Sequence, residues 1–139
     1  MNEAYVVRSA AVAATAPASE GLVEYLQSVT CAPPYSVERF HAIFLCAGRT
    51  YLGDASVGYG NRATLSLRMR DLFAKALELQ ARALIIAHNH PSGICRPSDK
   101  DICATRRLTE IAGALDIEVL DHLIITQSSV YSMRAGGHL

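Results

Sequence analysis

At 139 residues, half of them apolar, the chain is long enough for one hydrophobic core and too apolar for a disordered segment. Thirteen Lys and Arg offset thirteen Asp and Glu, so the formal net charge is zero, without the global basic field of a non-specific nucleic-acid binder. No apolar stretch approaches the roughly 20 residues of a membrane-spanning helix.

From the N-terminus, "VVRSAAVAATAPA" (6–18) has the faint look of a signal peptide. Glu3 precedes it, Arg8 is its only basic residue and its apolar part is mostly alanine, so it reads as a weakly ordered arm. "SEGLVEYLQSV" (19–29) predicts a short helix capped by Ser19, with Leu22, Val23, Leu26 and Val29 at helical spacing. "CAPPY" ends it, because neither proline donates a backbone hydrogen bond. In "VERFHAIFLC" (37–46) the period becomes two: Glu38, Phe40, Ala42 and Phe44 share one strand face, Arg39, His41, Ile43 and Leu45 the other. "AGR" is a hairpin turn into "TYLGDASVG" (50–58).

"SLRMRDLFAKALELQ" (66–80) predicts a helix whose apolar stripe is Leu65, Met69, Leu72, Phe73, Ala76 and Leu77. "RALIIA" (82–87) is almost wholly apolar, as in a strand buried on both faces. After a glycine loop, "PSDKDICATRRLTEIAGAL" (97–115) predicts a helix capped by Ser98, with Ile102, Leu108, Ile111 and Leu115 on its buried side. "IEVLDHLIIT" and "SVYSM" close the chain as strands. The order of elements predicts an α/β fold, a mixed sheet with helices packed against it. Residues 1–34 form an N-terminal arm with a short helix, and residues 35–139 the domain.

The chemistry concentrates in "AHNHPSG" (87–93). Residues i and i+2 on an extended chain point the same way, so His88 and His90 converge on one point. Pro91 and Gly93 turn the chain, and Asp101 follows in the first turn of the next helix. Two imidazoles and a carboxylate leave a fourth position for water, the arrangement of a catalytic zinc site. Glu38, an acid opening an apolar strand, is the candidate base for that water. Ser98 is placed to donate its hydroxyl to an oxyanion. Blander readings stand beside these: Ser98 and Asp101 also have the spacing of a helix-capping pair, Glu38 that of a solvated strand start, and an isolated His-x-His is more often no metal site. The capping and chemical roles of Ser98 and Asp101 are compatible.

Taken together, "HNHPSG" and "PSDKD" resemble the JAMM metalloprotease motif, His-x-His-Pro, a spacer, then Ser-x-x-Asp, with a glutamate upstream. "ERF" (38–40), "KALELQARALIIAHNHPSG" (75–93), "PSDKDICATRRL" (97–108) and "LDHLII" (120–125) extend the resemblance to the RadC branch of that superfamily, over about residues 35–137. The resemblance implies an MPN (JAB) fold related in architecture to cytidine deaminases. It makes His88, His90 and Asp101 ligands of one Zn2+, Glu38 the general base and Ser98 the oxyanion helper. The implied activity is zinc-dependent cleavage of a peptide or isopeptide bond in a peptide or protein substrate. Two departures stand out. RadC proteins carry a helix-hairpin-helix region that the residues before Glu38 are too few to hold. The family also tends to place a proline before the helix arginine, where this chain has Met69 before Arg70, a change expected to touch only the start of that helix.

Other readings are weaker. The contiguous "HNH" lacks the spacing of HNH nucleases, whose three letters are spread along the chain, and Asn89 points away from the metal toward backbone. The H-x-E and P-C-x-x-C of zinc deaminases are missing. Residues 39–82 are rich in Arg39, Arg49, Arg62, Arg68, Arg70, Lys75 and Arg82, which reads first as solvated surface and second as support for a DNA-processing factor or nuclease. A non-catalytic MPN interaction module is a third reading. Cys31, Cys46, Cys95 and Cys103 form no C-x-x-C pair and are expected as reduced thiols in a cytoplasmic protein, Cys95 as a loop thiol rather than a ligand. Asp121 and His122 read equally as a hydrogen-bonded pair at a strand start or as supports of a ligand. His41 falls on the face away from Glu38, and His138 in a mobile tail. No membrane association is expected, and an exposed sheet edge would allow a homo-oligomer.

Overall fold

The computed structural model describes residues 6–7, 20–60 and 67–139. Most of the N-terminal arm, with the Ser19 cap, and Leu65 of the expected stripe lie outside the described residues. The strands are β1 (Val6–Val7), β2 (Glu38–Leu45), β3 (Tyr51–Gly60), β4 (Ala83–Asn89), β5 (Glu118–Ile125) and β6 (Val130–Ser132). The helices are α1 (Glu20–Thr30), α2 (Met69–Glu78) and α3 (Asp99–Ala114). The strands form one mixed sheet in the order β1-β6-β5-β4-β2-β3. β4 and β5 pair in parallel and α3 connects them, while the other pairs are antiparallel.

Strand alternation sorts the apolar residues into two cores. On one face α1 sets Val23 and Leu26 against Ile43, Leu45, Ile85 and Ala87. On the other, Leu72, Phe73 and Ala76 of α2 and Leu108 and Ala112 of α3 cover Phe40, Ala42, Phe44, Leu84 and Ile86. Each buried Leu or Phe contributes about 1.5–3 kcal/mol. Every residue of β4 is buried, as expected of a central strand covered on both sides. No helix among the described residues is long and apolar enough to cross a membrane.

Two helix faces differ from expectation. Leu77 is 56% exposed and Leu115 37%, so neither belongs to the core. The buried stripe of α3 is Asp101, Thr105, Leu108 and Ala112, with Ile102 and Ile111 half-buried at its flanks. Two polar members of that stripe hide it from an apolar-periodicity reading. The C-terminus also differs: His138 is packed rather than mobile, its N–H on the Met133 carbonyl at 2.8 Å and its ring 3.0 Å from the Tyr131 hydroxyl.

A bulge in the β4–β5 ladder sets which way His122 faces. Leu84 pairs with Val119 and Ile85 with Asp121, so Leu120 has no partner on β4. Val119 packs on the α2/α3 side and Leu120 on the α1 side. By plain alternation His122 would then join Leu120 on the α1 side. The extra residue shifts the phase and turns His122 to the α3 side, a re-aiming that bulges commonly perform.

Candidate metal centre

β4 carries His88 to the edge of the α3-side core, where its side chain is fully buried. The next residue on that face, His90, lies just past the strand, its N–H still bonded to the Ile125 carbonyl at 3.0 Å. A turn then closes from the Gly93 N–H to the His90 carbonyl, with Gly93 at φ 84, a left-handed conformation that suits glycine. The turn brings the Ile94 carbonyl within 2.9 Å of His90 Nδ1. A carbonyl only accepts, so Nδ1 carries the ring proton and Nε2 of neutral His90 is a bare lone pair.

That lone pair faces two partners. His90 Nε2 is 3.0 Å from His88 Nε2 and 3.0 Å from Asp101 Oδ2, and His88 Nε2 is 3.3 Å from Asp101 Oδ1. A tetrahedral cation with bonds of about 2.0–2.1 Å holds its ligand atoms about 3.3 Å apart. The three donors thus already have nearly the spacing of three corners. Glu38 lies beside the two imidazoles: one ligand atom each from Glu38, His88 and His90 lie within 4.8 Å of one another. The donor chemistry fits a cation, which would relieve the mutual repulsion of facing lone pairs and a carboxylate.

Asp101 reaches the centre because α3 starts there. Ser98 Oγ accepts the Asp101 N–H at 3.1 Å, and the Ser98 N–H donates to Asp101 Oδ2 at 2.9 Å, a complete capping box. The box fixes the carboxylate on the histidines. Burial pushes the Asp101 carboxyl up, but the two imidazoles facing it, with the Ser98 N–H, outweigh that and hold it well below the usual carboxylate range. The His90 imidazole is pulled down by burial yet ends above its ordinary value, through Asp101 and the Ile94 carbonyl.

Glu38 opens β2, where its backbone is held from an unexpected side. Asn89 Oδ1 accepts the Arg39 N–H at 2.7 Å and Asn89 Nδ2 donates to the Val37 carbonyl at 3.0 Å. The Arg39 guanidinium runs toward the end of α1, donating to the carbonyls of Thr30, Ala32 and Pro33. Burial pushes the Glu38 carboxyl above its usual value, more than the nearby histidines pull it down. Such a shift suits a group that must take up a proton. Glu38, His90, Ser98 and Asp101 line one open cleft of about 610 Å³ with Tyr35 and Lys100.

Asp121 and His122, which sequence alone leaves undecided, have separate roles in the structure. Asp121 accepts from its neighbour's N–H, from the Arg134 N–H and from the Ser132 hydroxyl, so it joins β5 to β6 and the turn beyond. His122 instead lies behind the centre: its Nε2 is 2.7 Å from His88 Nδ1 and its Nδ1 is 2.6 Å from Thr105 Oγ1. Burial, then the neighbouring His88, hold its ring well below the ordinary histidine value. No motif points to Thr105; its only sequence signal is a polar residue four positions after Asp101 on one helix face. His41 stands on the α1 face, bonded to Asp54 at 2.6 Å. Cys95 turns from the centre to the Ile124 carbonyl, and burial pushes its thiol up to about 11.

The sequence pattern of the family described as "RadC-like JAB domain" matches residues 17–138. A UPF0758 protein of Thiobacillus denitrificans is 38% identical over 116 residues, which cover 84% of this chain and 51% of the relative. A UPF0758 protein of Chromohalobacter salexigens is 39% identical over 102 residues, 73% of this chain and 46% of the relative. One from Staphylococcus carnosus is 36% identical over 101 residues, again 73% of this chain and 45% of the relative. The chain thus spans about half the length of the curated relatives it matches.

Proposed function

The chain belongs to the RadC-like JAB domain family, and on that premise we propose that it is a zinc-dependent hydrolase cleaving a peptide or isopeptide bond. One observation carries the reading: two imidazole nitrogens and a carboxylate meet at 3.0–3.3 Å, with the Glu38 carboxylate beside the imidazoles. His88, His90 and Asp101 would hold the zinc ion. When bound, the ion would supply Lewis acidity, lowering the pKa of water toward about 7.

The chain's own residues do the rest. Glu38, unprotonated at the start, takes a proton from the attacking water and returns it to the leaving amine. Its raised pKa fits both halves of that transfer. Ser98 keeps its hydroxyl oxygen in the capping box, and its proton is free to donate toward the carbonyl oxygen of the substrate as charge builds there. A cytoplasmic setting agrees with four cysteines that remain thiols.

The test uses zinc-reconstituted protein, a library of unbranched and isopeptide-linked peptides, and a plasmid DNA control, with products read by mass spectrometry and gel. Peptide cleavage abolished by chelator and by Glu38→Gln, with zinc still bound in the variant, is expected. Undiminished cleavage by Glu38→Gln removes the assigned base. Chelator-sensitive DNA cutting without peptide cleavage would replace the reading with the nuclease one, and neither activity with retained binding would favour a scaffold.

A further inference from the structure

We propose that His122, held by Thr105, is a positioning residue that fixes the tautomer of His88 so that its bare nitrogen faces the metal. The inference rests on the zinc reading above and goes beyond it to residues outside the ligand set.

Each proton in the relay is fixed by the acceptor next to it. Thr105 Oγ1 is 2.7 Å from the Asp101 carbonyl oxygen, one turn earlier on α3. That oxygen can only accept, so the hydroxyl proton points to it; the Met133 sulfur at 3.5 Å is a weaker alternative acceptor. With its proton committed, Thr105 Oγ1 accepts at 2.6 Å from His122 Nδ1–H. With its Nδ1–H given to Thr105, His122 turns its other ring nitrogen, Nε2, to accept at 2.7 Å from His88 Nδ1–H. His88 in turn has its single proton on Nδ1. Its Nε2 is left bare, 3.0 Å from His90 Nε2 and 3.3 Å from Asp101.

The reversed relay would close the site. A His122 protonated at Nε2 would donate to His88 Nδ1 and force the His88 proton onto Nε2, where it blocks coordination. Water cannot repair a broken relay, because His88, His122 and Thr105 are each at most 1% exposed. The relay starts on the backbone of Asp101, so one helical turn supplies both a carboxylate for the cation and the anchor for the imidazole opposite it. The Leu120 bulge makes the contact possible by turning His122 to this face. His90 has its own version, in which the Ile94 carbonyl accepts directly from Nδ1–H.

His122→Phe keeps a ring of similar size without the acceptor, and Thr105→Val removes the hydroxyl at constant shape. Thr105→Ser is the conservative rescue. Zinc affinity is measured by chelator competition on variants whose folding is confirmed by circular dichroism. Orientation-removing changes behind a metal ligand typically weaken binding about 10- to 100-fold. That loss is expected for His122→Phe and Thr105→Val, with Thr105→Ser near wild type. Ring nitrogen NMR of the wild type should find His88 protonated at Nδ1. Wild-type zinc affinity in folded Thr105→Val, or a His88 proton on Nε2, overturns this inference and leaves the zinc reading standing. A wild-type chain that takes up no zinc overturns both.

Discussion

Asn89 clasps the main chain on both sides of Glu38, accepting from the Arg39 N–H and donating to the Val37 carbonyl. The β2–β4 register ends at the pair Phe40–His88. Beyond it the side-chain amide of Asn89 acts as a surrogate peptide and carries the pairing one step further, to where Glu38 needs support. Asn89→Ala should cost about 1–3 kcal/mol, because it leaves two shielded backbone groups unpaired. Urea unfolding reads the loss. Zinc affinity should stay unchanged, since the amide points away from the histidines. Wild-type stability in this variant would show that the clasp holds nothing.

Ser98 is expected to have two separable effects. Ser98→Ala removes the acceptor for the Asp101 N–H and should cost about 0.5–2 kcal/mol in thermal or denaturant unfolding, the usual penalty for a lost N-cap. If the hydroxyl also donates to substrate, peptide cleavage should fall by about 10²-fold or more at full zinc loading. A variant that loses stability alone would confine Ser98 to capping.

On the opposite face, Asp54 accepts hydrogen bonds from the hydroxyls of Tyr25 and Tyr51 and lies against His41. Tyr51 is raised from its ordinary 10.0 to about 12, chiefly by the hydrogen bond to Asp54. A raised pKa means that its contribution to stability is complete below pH 10 and disappears as the pH climbs through about 12. Asp54 itself is depressed, the three donors outweighing its burial, so its contribution is present above the ordinary aspartate range and lost on acidification. Ultraviolet titration should find a late-ionising tyrosine that returns toward about pH 10 in Asp54→Asn. An identical titration in the variant would contradict the contact.

Helix α1 belongs to the same core as the strands. Leu26 is fully buried among Ile43, Ile85, Leu123 and their neighbours. Leu26→Ala should cost about 2–5 kcal/mol in a single cooperative transition. A loss below about 1 kcal/mol would mean that the helix is dispensable packing.

Much of the fold and the centre is legible in the sequence because the pattern and the physics coincide. The all-apolar 83–87 run can be buried only between two helical layers, and the period-two stretch after Val37 puts Glu38 on the face that meets His88. The capping spacing of Ser98 and Asp101 is what delivers the carboxylate. The rest is hidden for local reasons. One extra residue, Leu120, reverses the phase of β5, so alternation alone cannot place His122 behind His88. Thr105 and Asp101 occupy the buried stripe of α3, so apolar periodicity rotates that helix toward Ile102 and Leu115. His138 is tied down by Tyr131 and Met133, contacts that depend on a C-terminal turn with no strong signal of its own.

The most direct measurement is zinc X-ray absorption on the reconstituted protein, with the metal content determined alongside. One zinc per chain is expected, with a first shell of nitrogen and oxygen at about 2.0–2.2 Å and multiple-scattering features of two imidazoles; His88→Ala should remove one of them. A shell containing sulfur at about 2.3 Å, or a zinc environment unchanged by His88→Ala, would contradict the placement of the cation between His88, His90 and Asp101.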